Sequence, residues 1–393
     1  MQILTYPVGV VVGLLPIVVE LGLPTRPASL LLDGRQVCSL TAREAGCSVD
    51  LGPAPRVHLL EAVRRDESAR VLERAIRWVN RPGAAQAEVQ TRTRCPENTG
   101  DCDVTIGWAH PDRLDPKSVR VTLDGRRVTL GPERRVRLPA RALRGSLLTV
   151  DLAFGDGRRA TYAGAVGGGV RGDEESALTA SLVTEACEPL DLDSVRRRLE
   201  KEGRAVRSVE RGEWEVVFVA EPAAYMALRD LAQAAPPEAP GKLGKPFRGA
   251  LGVTAIVANG DLERFDLTGR DGEGVLEGLL DGLWASKLRP VRTADAVAVS
   301  ALLAGAAGHR RAVVLLLAGP ADESALDAAG VRRYLDEVGV PLLVFRARGV
   351  SRPEWPDGTR IASLPDLGAA LAGVKKKLDC QAVAWLEGGD PPR

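Results

Sequence analysis

Six cysteines, three histidines and a few acid and hydroxyl residues near strand ends are what this 393-residue chain offers for chemistry. Cys38 and Cys47 lie nine residues apart, and Cys95 and Cys102 seven. Each pair brackets a turn-rich stretch, SLTAREAG or PENTGD, between strand-like residues. Two facing strands bring Cα atoms to the separation a disulfide needs, so both pairs are expected to staple hairpins. Cys187 and Cys380 are left to pair over a long range. Metal ligation asks for tighter spacing, and no C-x-x-C occurs. Bonded cysteines point to an oxidising compartment, so the expected location is extracytoplasmic: periplasmic, secreted or at the cell surface. Six buried thiols in a cytosolic protein are the alternative.

The remaining chemistry is sparse. His58, His110 and His309 are far apart in sequence, His58 in a predicted strand and His110 in a turn. No G-x-S-x-G elbow presents a nucleophile. Gly272-Glu273-Gly274 precedes a helix, but no G-x-x-x-x-G-K-[ST] cradles a phosphate. The expectation is therefore no enzyme, no catalytic residue and no cofactor. Lys and Arg number 53 against 52 Asp and Glu, a net charge of +1. That balance supplies no basic face for a nucleic acid.

The elements that would position these residues fall into two kinds. A hydrophobic share of 45% and a charged share of 27% suit a chain that buries a core, and the length suits two or three domains. Pro7 to Val19 is apolar and uncharged but too short to cross a membrane. It lacks the basic residue that would precede it in a signal peptide. It reads as first strands, with any signal or lipid anchor removed or upstream, and no integral membrane span is expected. Leu32-Asp33-Gly34-Arg35-Gln36-Val37 recurs ninety-one residues later as Leu123-Asp124-Gly125-Arg126-Arg127-Val128. Asp-Gly between apolar runs is the strongest short hairpin signal, because both residues tolerate positive φ. Asp66-Glu67-Ser68-Ala69-Arg70 and Asp156-Gly157-Arg158-Arg159 stand at a similar offset. Two tandem all-β sandwiches follow, residues 1–82 and 83–169, divided near Arg81-Pro82-Gly83 and ending at Gly167-Gly168-Gly169.

Residues 170–393 change pattern. Val216–Ala220, Val253–Ala258, Ala312–Leu317 and Pro341–Phe345 are short apolar runs. Helix-like stretches at Ala223–Ala234, Gly274–Leu283, Ala294–Ala304, Ser324–Val338 and Leu364–Leu378 alternate with them. Strands apolar on both faces, separated by helices, indicate a parallel sheet covered on each side. Trp214-Glu215-Val216-Val217-Phe218-Val219 suits a first strand, and Asp266-Leu267-Thr268 precedes a helix. His309 to Leu316 suits a central strand, Val338 to Phe345 the next, and Leu378 to Trp385 a closing one. In order and spacing these runs resemble the von Willebrand factor type A (vWA) fold, a doubly wound, Rossmann-type α/β domain. More narrowly, the chain resembles a bacterial vWA-related family with Ig-like sandwich domains in front.

The resemblance implies a Mg²⁺ or Mn²⁺ site at the top of the sheet, opened by D-x-S-x-S, through which many vWA domains capture an acidic residue of a partner. The aligned positions here are Glu221-Pro222-Ala223-Ala224-Tyr225, so Ala223 and Tyr225 replace the serines. The family's loop threonine falls at Val291, and its later Asp-Gly becomes Ala318-Gly319. Carboxylate and hydroxyl oxygens suit such a cation, and most are missing. The motif is degenerate and no metal is expected. A displaced set of Glu221, Thr293, Asp295 and Asp322 is the alternative, since all stand near carboxyl ends of strands. Trp78 and Trp108 are expected to pack in the sandwiches, and Trp214 and Trp385 at the sheet. Trp355, between prolines in a loop, and Tyr225 are the candidates to anchor a partner, against packing within their own domain. The expected function is a non-enzymatic extracytoplasmic protein-binding or scaffold role, its partner a protein of unknown identity. A metal-dependent adhesion module near Glu221 is the first alternative, and a hydrolase or transferase on the α/β domain the second.

Overall fold

A computed structural model supplies the architecture. It describes residues 2–386 except 4, 6, 8, 22–26, 42–43, 70, 82–87, 95–100, 110–113, 140–145, 156–158, 167–178, 185–190, 212–213, 235–242, 244–246, 248–249, 251, 261, 286–289, 306–308, 320–321 and 357. The expected boundaries at 82–83 and 167–169, together with Cys95, His110 and Cys187, therefore lie outside the described residues.

The chain opens with seven strands: β1 (Gln2–Ile3), β2 (Leu14–Glu20), β3 (Ala28–Leu32), β4 (Arg35–Leu40), β5 (Glu44–Asp50), β6 (His58–Arg65) and β7 (Val71–Val79). They form two antiparallel sheets, β1-β2-β5 and β4-β3-β6-β7. Ile17 and Val19 of one sheet and Leu30, Leu60 and Ala62 of the other share one buried core. Seven more strands follow: β8 (Glu88–Arg94), β9 (Asp101–Ala109), β10 (Pro116–Leu123), β11 (Arg126–Val128), β12 (Arg135–Pro139), β13 (Ser146–Phe154) and β14 (Arg159–Val166). Their sheets are β12-β9-β8 and β11-β10-β13-β14, around a core of Val104, Ile106, Val121, Val136 and Val150. Each sheet repeats the earlier strand order displaced by seven strands. The Asp-Gly repeats occupy equivalent hairpins, β3–β4 and β10–β11. Asp33 and Gly34 have φ of 50° and 79°, Asp124 and Gly125 of 49° and 75°. Positive φ at both central residues is the type I′ geometry, which matches the twist of the flanking strands.

Cys38 and Cys47 are joined, with Cα atoms 6.5 Å apart. The hairpin assignment for this pair is corrected: β4 and β5 lie in different sheets, so the bridge ties the two sheets together at the edge of their core. Cys380 is also disulfide-bonded.

The last part carries β15 (Thr179–Thr184), α1 (Leu192–Lys201), β16 (Val206–Glu210), β17 (Trp214–Ala220), α2 (Ala224–Ala234), β18 (Gly252–Val257) and β19 (Arg264–Asp266). It continues through α3 (Gly272–Ala285), α4 (Thr293–Gly305), β20 (Arg310–Leu317), α5 (Ala328–Glu337), β21 (Leu342–Ala347), β22 (Thr359–Ile361), α6 (Leu364–Asp379) and β23 (Gln381–Leu386). The six-stranded sheet runs β19-β18-β17-β20-β21-β22, parallel except at edge strand β19. Every residue of β17 and β20 is buried, as strands covered on both faces must be. Val216 and Phe218 face α2, α3 and α6, while Val217 and Val219 face α4 and α5. Leu378 to Trp385 does not close this sheet, contrary to expectation: β23 sits between β15 and β16 in a separate antiparallel sheet against α1.

The first β unit docks on the α4–α5 side, where Val10 and Val57 pack against that core. Tyr334 of α5 donates its hydroxyl to the Asn80 carbonyl at 2.6 Å. The Asn80 side chain is fully buried: it accepts from the Val11 N–H and donates to the Val11 and Arg56 carbonyls. One asparagine thus holds three chain segments of the junction. Among the described residues no helix is long and apolar enough to cross a membrane.

Candidate switch-point site

The order β19-β18-β17-β20-β21-β22 reverses between β17 and β20, because the chain builds outward from β17 in one direction and from β20 in the other. The crevice beyond the carboxyl ends of those two strands is where open α/β sheets bind ligands. Glu221 directly follows β17, and Ala318-Gly319 directly follows β20. Thr293 opens α4, and Asp322 lies on the connection from β20 to α5. The structure thus brings Glu221, Thr293 and Asp322 of the displaced set to one place.

The Glu221 carboxylate has no solvent exposure. Oε2 accepts from the backbone N–H groups of Ala318 (2.8 Å) and Gly319 (2.5 Å). Oε1 accepts from the Thr293 hydroxyl at 2.8 Å and from Arg352 Nη1 at 2.9 Å. A Cβ at residue 319 would stand 3.2 Å from Glu221 Oε2, a tight contact that the carboxylate would have to yield to by a few tenths of an ångström. Asp322 serves the neighbouring helix end: Oδ1 accepts from the Thr293 N–H and Oδ2 from the Ala294 N–H. Those donors are the unpaired groups of the first turn of α4, and a carboxylate there also suits the helix dipole. Asp295 is turned elsewhere, its oxygens accepting from the Ala325 and Leu326 N–H groups.

Arg352, in the segment between β21 and β22, was not singled out from the sequence. Its side chain is 2% exposed. Nη1 donates to Glu221 and, at 3.3 Å, to the Gly319 carbonyl. Nη2 stands 3.7 Å from Asp322 Oδ2, and Nε donates to Glu354. Burial works against the guanidinium charge, but the Glu354 hydrogen bond and the Glu221, Glu354 and Asp322 charges outweigh it and raise its pKa. Burial likewise opposes ionisation of Glu354, and the Arg352 contact more than offsets it, so that carboxyl is held below its usual range. The only signal in the sequence was an arginine, followed by Pro-Glu, on a loop leaving the carboxyl end of a parallel strand.

The other candidate positions are placed as follows. Ala223 is exposed and Val291 partly buried, the latter accepting from the Glu323 N–H through its carbonyl. Tyr225 is half-buried, its ring 5.4 Å from that of Trp284 and 5.5 Å from the Arg229 guanidinium. Trp284, 72% exposed at the end of α3, was also missed. Of the two readings of Trp355, packing within its own domain is the one the structure supports, and the partner-anchoring one is corrected: the side chain has no exposure and packs in the core beneath α4 and α5, where it anchors its own loop. His58 Nδ1 lies 2.8 Å from Asp33 Oδ2, and His309 Nε2 lies 3.9 Å from Asp151 Oδ1, both within structural contacts between segments.

A hard divalent cation does not fit this arrangement. Nitrogen donors already engage both Glu221 oxygens, and the space beside Oε1 holds a cationic side chain. Among the described residues no group of three His, Cys, Asp or Glu side chains is disposed to hold a metal ion.

No family model matches the chain, and no curated protein matches it. Among solved structures it is similar to proximal thread matrix protein 1 of the mussel byssus with a zinc-occupied MIDAS motif. That match has 12% identity and a TM-score of 0.31, over 52% of this chain and 49% of that one. A second crystal form of the mussel protein matches at 12% identity and a TM-score of 0.28, over 43% and 48%. A β-D-glucuronidase of Dictyoglomus thermophilum matches at 10% identity and a TM-score of 0.19, over 86% and 66%. The chain spans about half the length of the mussel protein.

Proposed function

We propose that this chain is a non-enzymatic, extracytoplasmic protein-binding or scaffold protein, built from two Ig-like sandwiches and a vWA-like α/β domain that works without a metal. The observation that carries the reading is the Glu221–Arg352 pair. The crevice in which this sheet type places its ligand is closed by a buried intramolecular ion pair. Support for the fold reading comes from the duplicated seven-strand order and from the strand order of the parallel sheet, with its switch point at Glu221. The bonded Cys38–Cys47 pair supports an oxidising location. With the crevice closed, recognition falls to other surfaces, and the half-buried Tyr225 beside exposed Trp284 offers aromatic area of the kind that anchors partners.

The test is the melting temperature of the whole chain in EDTA and then in millimolar Mg²⁺, Mn²⁺ or Ca²⁺. A ligand bound only to the native state raises stability by about 2.7 kcal/mol at a hundredfold excess over Kd. No cation is expected to shift the transition. A clear rise that Glu221→Ala abolishes would overturn the reading and establish cation-dependent adhesion in its place.

A further inference from the structure

We infer that Arg352 is a tethered cation, filling an oxygen cage at the switch point that would otherwise take a divalent metal ion. The inference rests on the metal-independent reading of the crevice and assigns the residue responsible. Three oxygens converge on the terminal nitrogens of the guanidinium: the Glu221 carboxylate at 2.9 Å, the Gly319 carbonyl at 3.3 Å and the Asp322 carboxylate at 3.7 Å. The Thr293 hydroxyl joins the cage through the same Glu221 oxygen. Carboxylate, carbonyl and hydroxyl oxygens are the donor set of hard cations.

The charges agree with this assignment. Glu221, Asp322 and Glu354 set three carboxylates against the single guanidinium. Glu221 has no exposure through which water could screen it. A buried carboxylate in that position needs a counter-charge, and the guanidinium supplies one that does not titrate in the working range. Its planar fork engages several acceptors together, which a lysine ammonium on the same stem would do less well. Because the cation is covalently attached, the cage is filled at every metal concentration. The connections after β20 and β21 are then held in one arrangement permanently.

Withdrawing the side chain should convert the cage into a metal site. Glu221 Oε2 keeps its two backbone donors, while Oε1, the Gly319 carbonyl and Asp322 Oδ2 lose the guanidinium that joins them. Mg²⁺ and Mn²⁺ need few protein oxygens, since they retain several waters. The experiment uses the full chain carrying Arg352→Ala, with melting followed in EDTA, millimolar MnCl₂ or MgCl₂, and millimolar guanidinium chloride. Expected are a lowered melting temperature in EDTA and its saturable recovery with Mn²⁺. Guanidinium at low concentration should also raise it, opposite in sign to its denaturant action. Glu221→Gln in the same background should abolish the Mn²⁺ response. An undiminished melting temperature, or a lowered one that neither cation restores, would overturn the inference and make Arg352 a packing residue. If Arg352→Ala does not fold in EDTA, refolding with and without Mn²⁺ and the Arg352→Met variant, which keeps an aliphatic stem, give the same readout, and no response in either overturns it. A Mn²⁺ response in the unaltered chain is a separate outcome. It refutes the metal-independent reading itself, whereas lack of rescue in the variant refutes only the role given to Arg352.

Discussion

Replacing Glu221 by glutamine keeps the shape of the side chain and removes its charge, so the consequence can be worked from the hydrogen bonds alone. Four donors converge on the carboxylate: two backbone N–H groups, the Thr293 hydroxyl and Arg352 Nη1. A glutamine oxygen can serve one pair. If it faces Ala318 and Gly319, its NH₂ points at the Thr293 hydroxyl, which can turn to accept, and at Arg352, which cannot. Breaking a buried ion pair from one side costs about 3–5 kcal/mol, because the other charge stays buried. Asp322 and Glu354 still face Arg352, which places the expected loss near the lower end, about 3 kcal/mol. For a unit of this size each kcal/mol moves the midpoint by about 2–4 °C, so the fall is about 6–12 °C. The assay is thermal unfolding followed by near-ultraviolet circular dichroism, with Glu221→Gln, Arg352→Met and the double variant compared. In the double variant the partnerless charge is gone, so it should be more stable than Glu221→Gln alone, with a coupling of about 0.5–3 kcal/mol. A fall under about 2 °C for Glu221→Gln, or strict additivity in the cycle, would refute the claim that this pair holds the crevice shut.

Two further outcomes follow from other buried contacts. Tyr334→Phe removes the hydroxyl that satisfies the buried Asn80 carbonyl and should cost about 1–3 kcal/mol by urea unfolding. The phenol is pushed above its ordinary value of 10.0, chiefly by burial and secondarily by the nearby Glu337 charge. Its stabilising contribution is therefore complete below pH 10.0 and lost as pH rises further, because the unfolded chain releases the proton first. Phenolate absorbance should show Tyr334 failing to ionise until the fold is lost, a late step that Tyr334→Phe removes. Trp355→Ala should cost about 3–5 kcal/mol as a large-to-small core change, whereas Trp284→Ala should stay within about 0.5 kcal/mol. The reverse order in urea would mean that the burial of the two indoles has been assigned the wrong way round.

Those two tryptophans mark where the sequence stopped being informative. Trp355 stands between prolines, and Pro-flanked residues do leave regular structure, as this one does. Whether a loop side chain then turns inward is decided by what the rest of the fold leaves open, here the gap beneath α4 and α5. The same limit applies to β23, whose apolar run announces burial on both faces but not which sheet provides it. It applies also to Cys38 and Cys47, since nine residues with a turn between them suit a hairpin and a crossing between sheets equally well. Local signals fared better. Asp33-Gly34 and Asp124-Gly125 fix type I′ turns through their own backbone preferences. The all-apolar β17 and β20 fix a doubly covered parallel sheet through their composition.

The site divides along the same line. Glu221, Thr293 and Asp322 were legible because strand ends are legible, and the ends of parallel strands in one sheet are neighbours. Arg352 was not, because its partner Glu221 is 131 residues away and no local pattern links them. The need for such a partner could nevertheless be argued from Glu221 alone. A carboxylate at a switch point, directly after a wholly buried strand, faces several inward-pointing N–H dipoles that stabilise its charge but do not neutralise it. A bound metal can complete the balance conditionally, rising and falling with ion concentration, or a basic side chain can complete it permanently. When the oxygen ligands expected of the metal are missing from their positions, as the serines and aspartate are here at Ala223, Tyr225 and Ala318, the carboxylate that remains should be read as one half of an ion pair. The search then narrows to the Arg and Lys residues on loops that leave the carboxyl ends of the neighbouring strands. Arg352 meets that description and encloses the carboxylate.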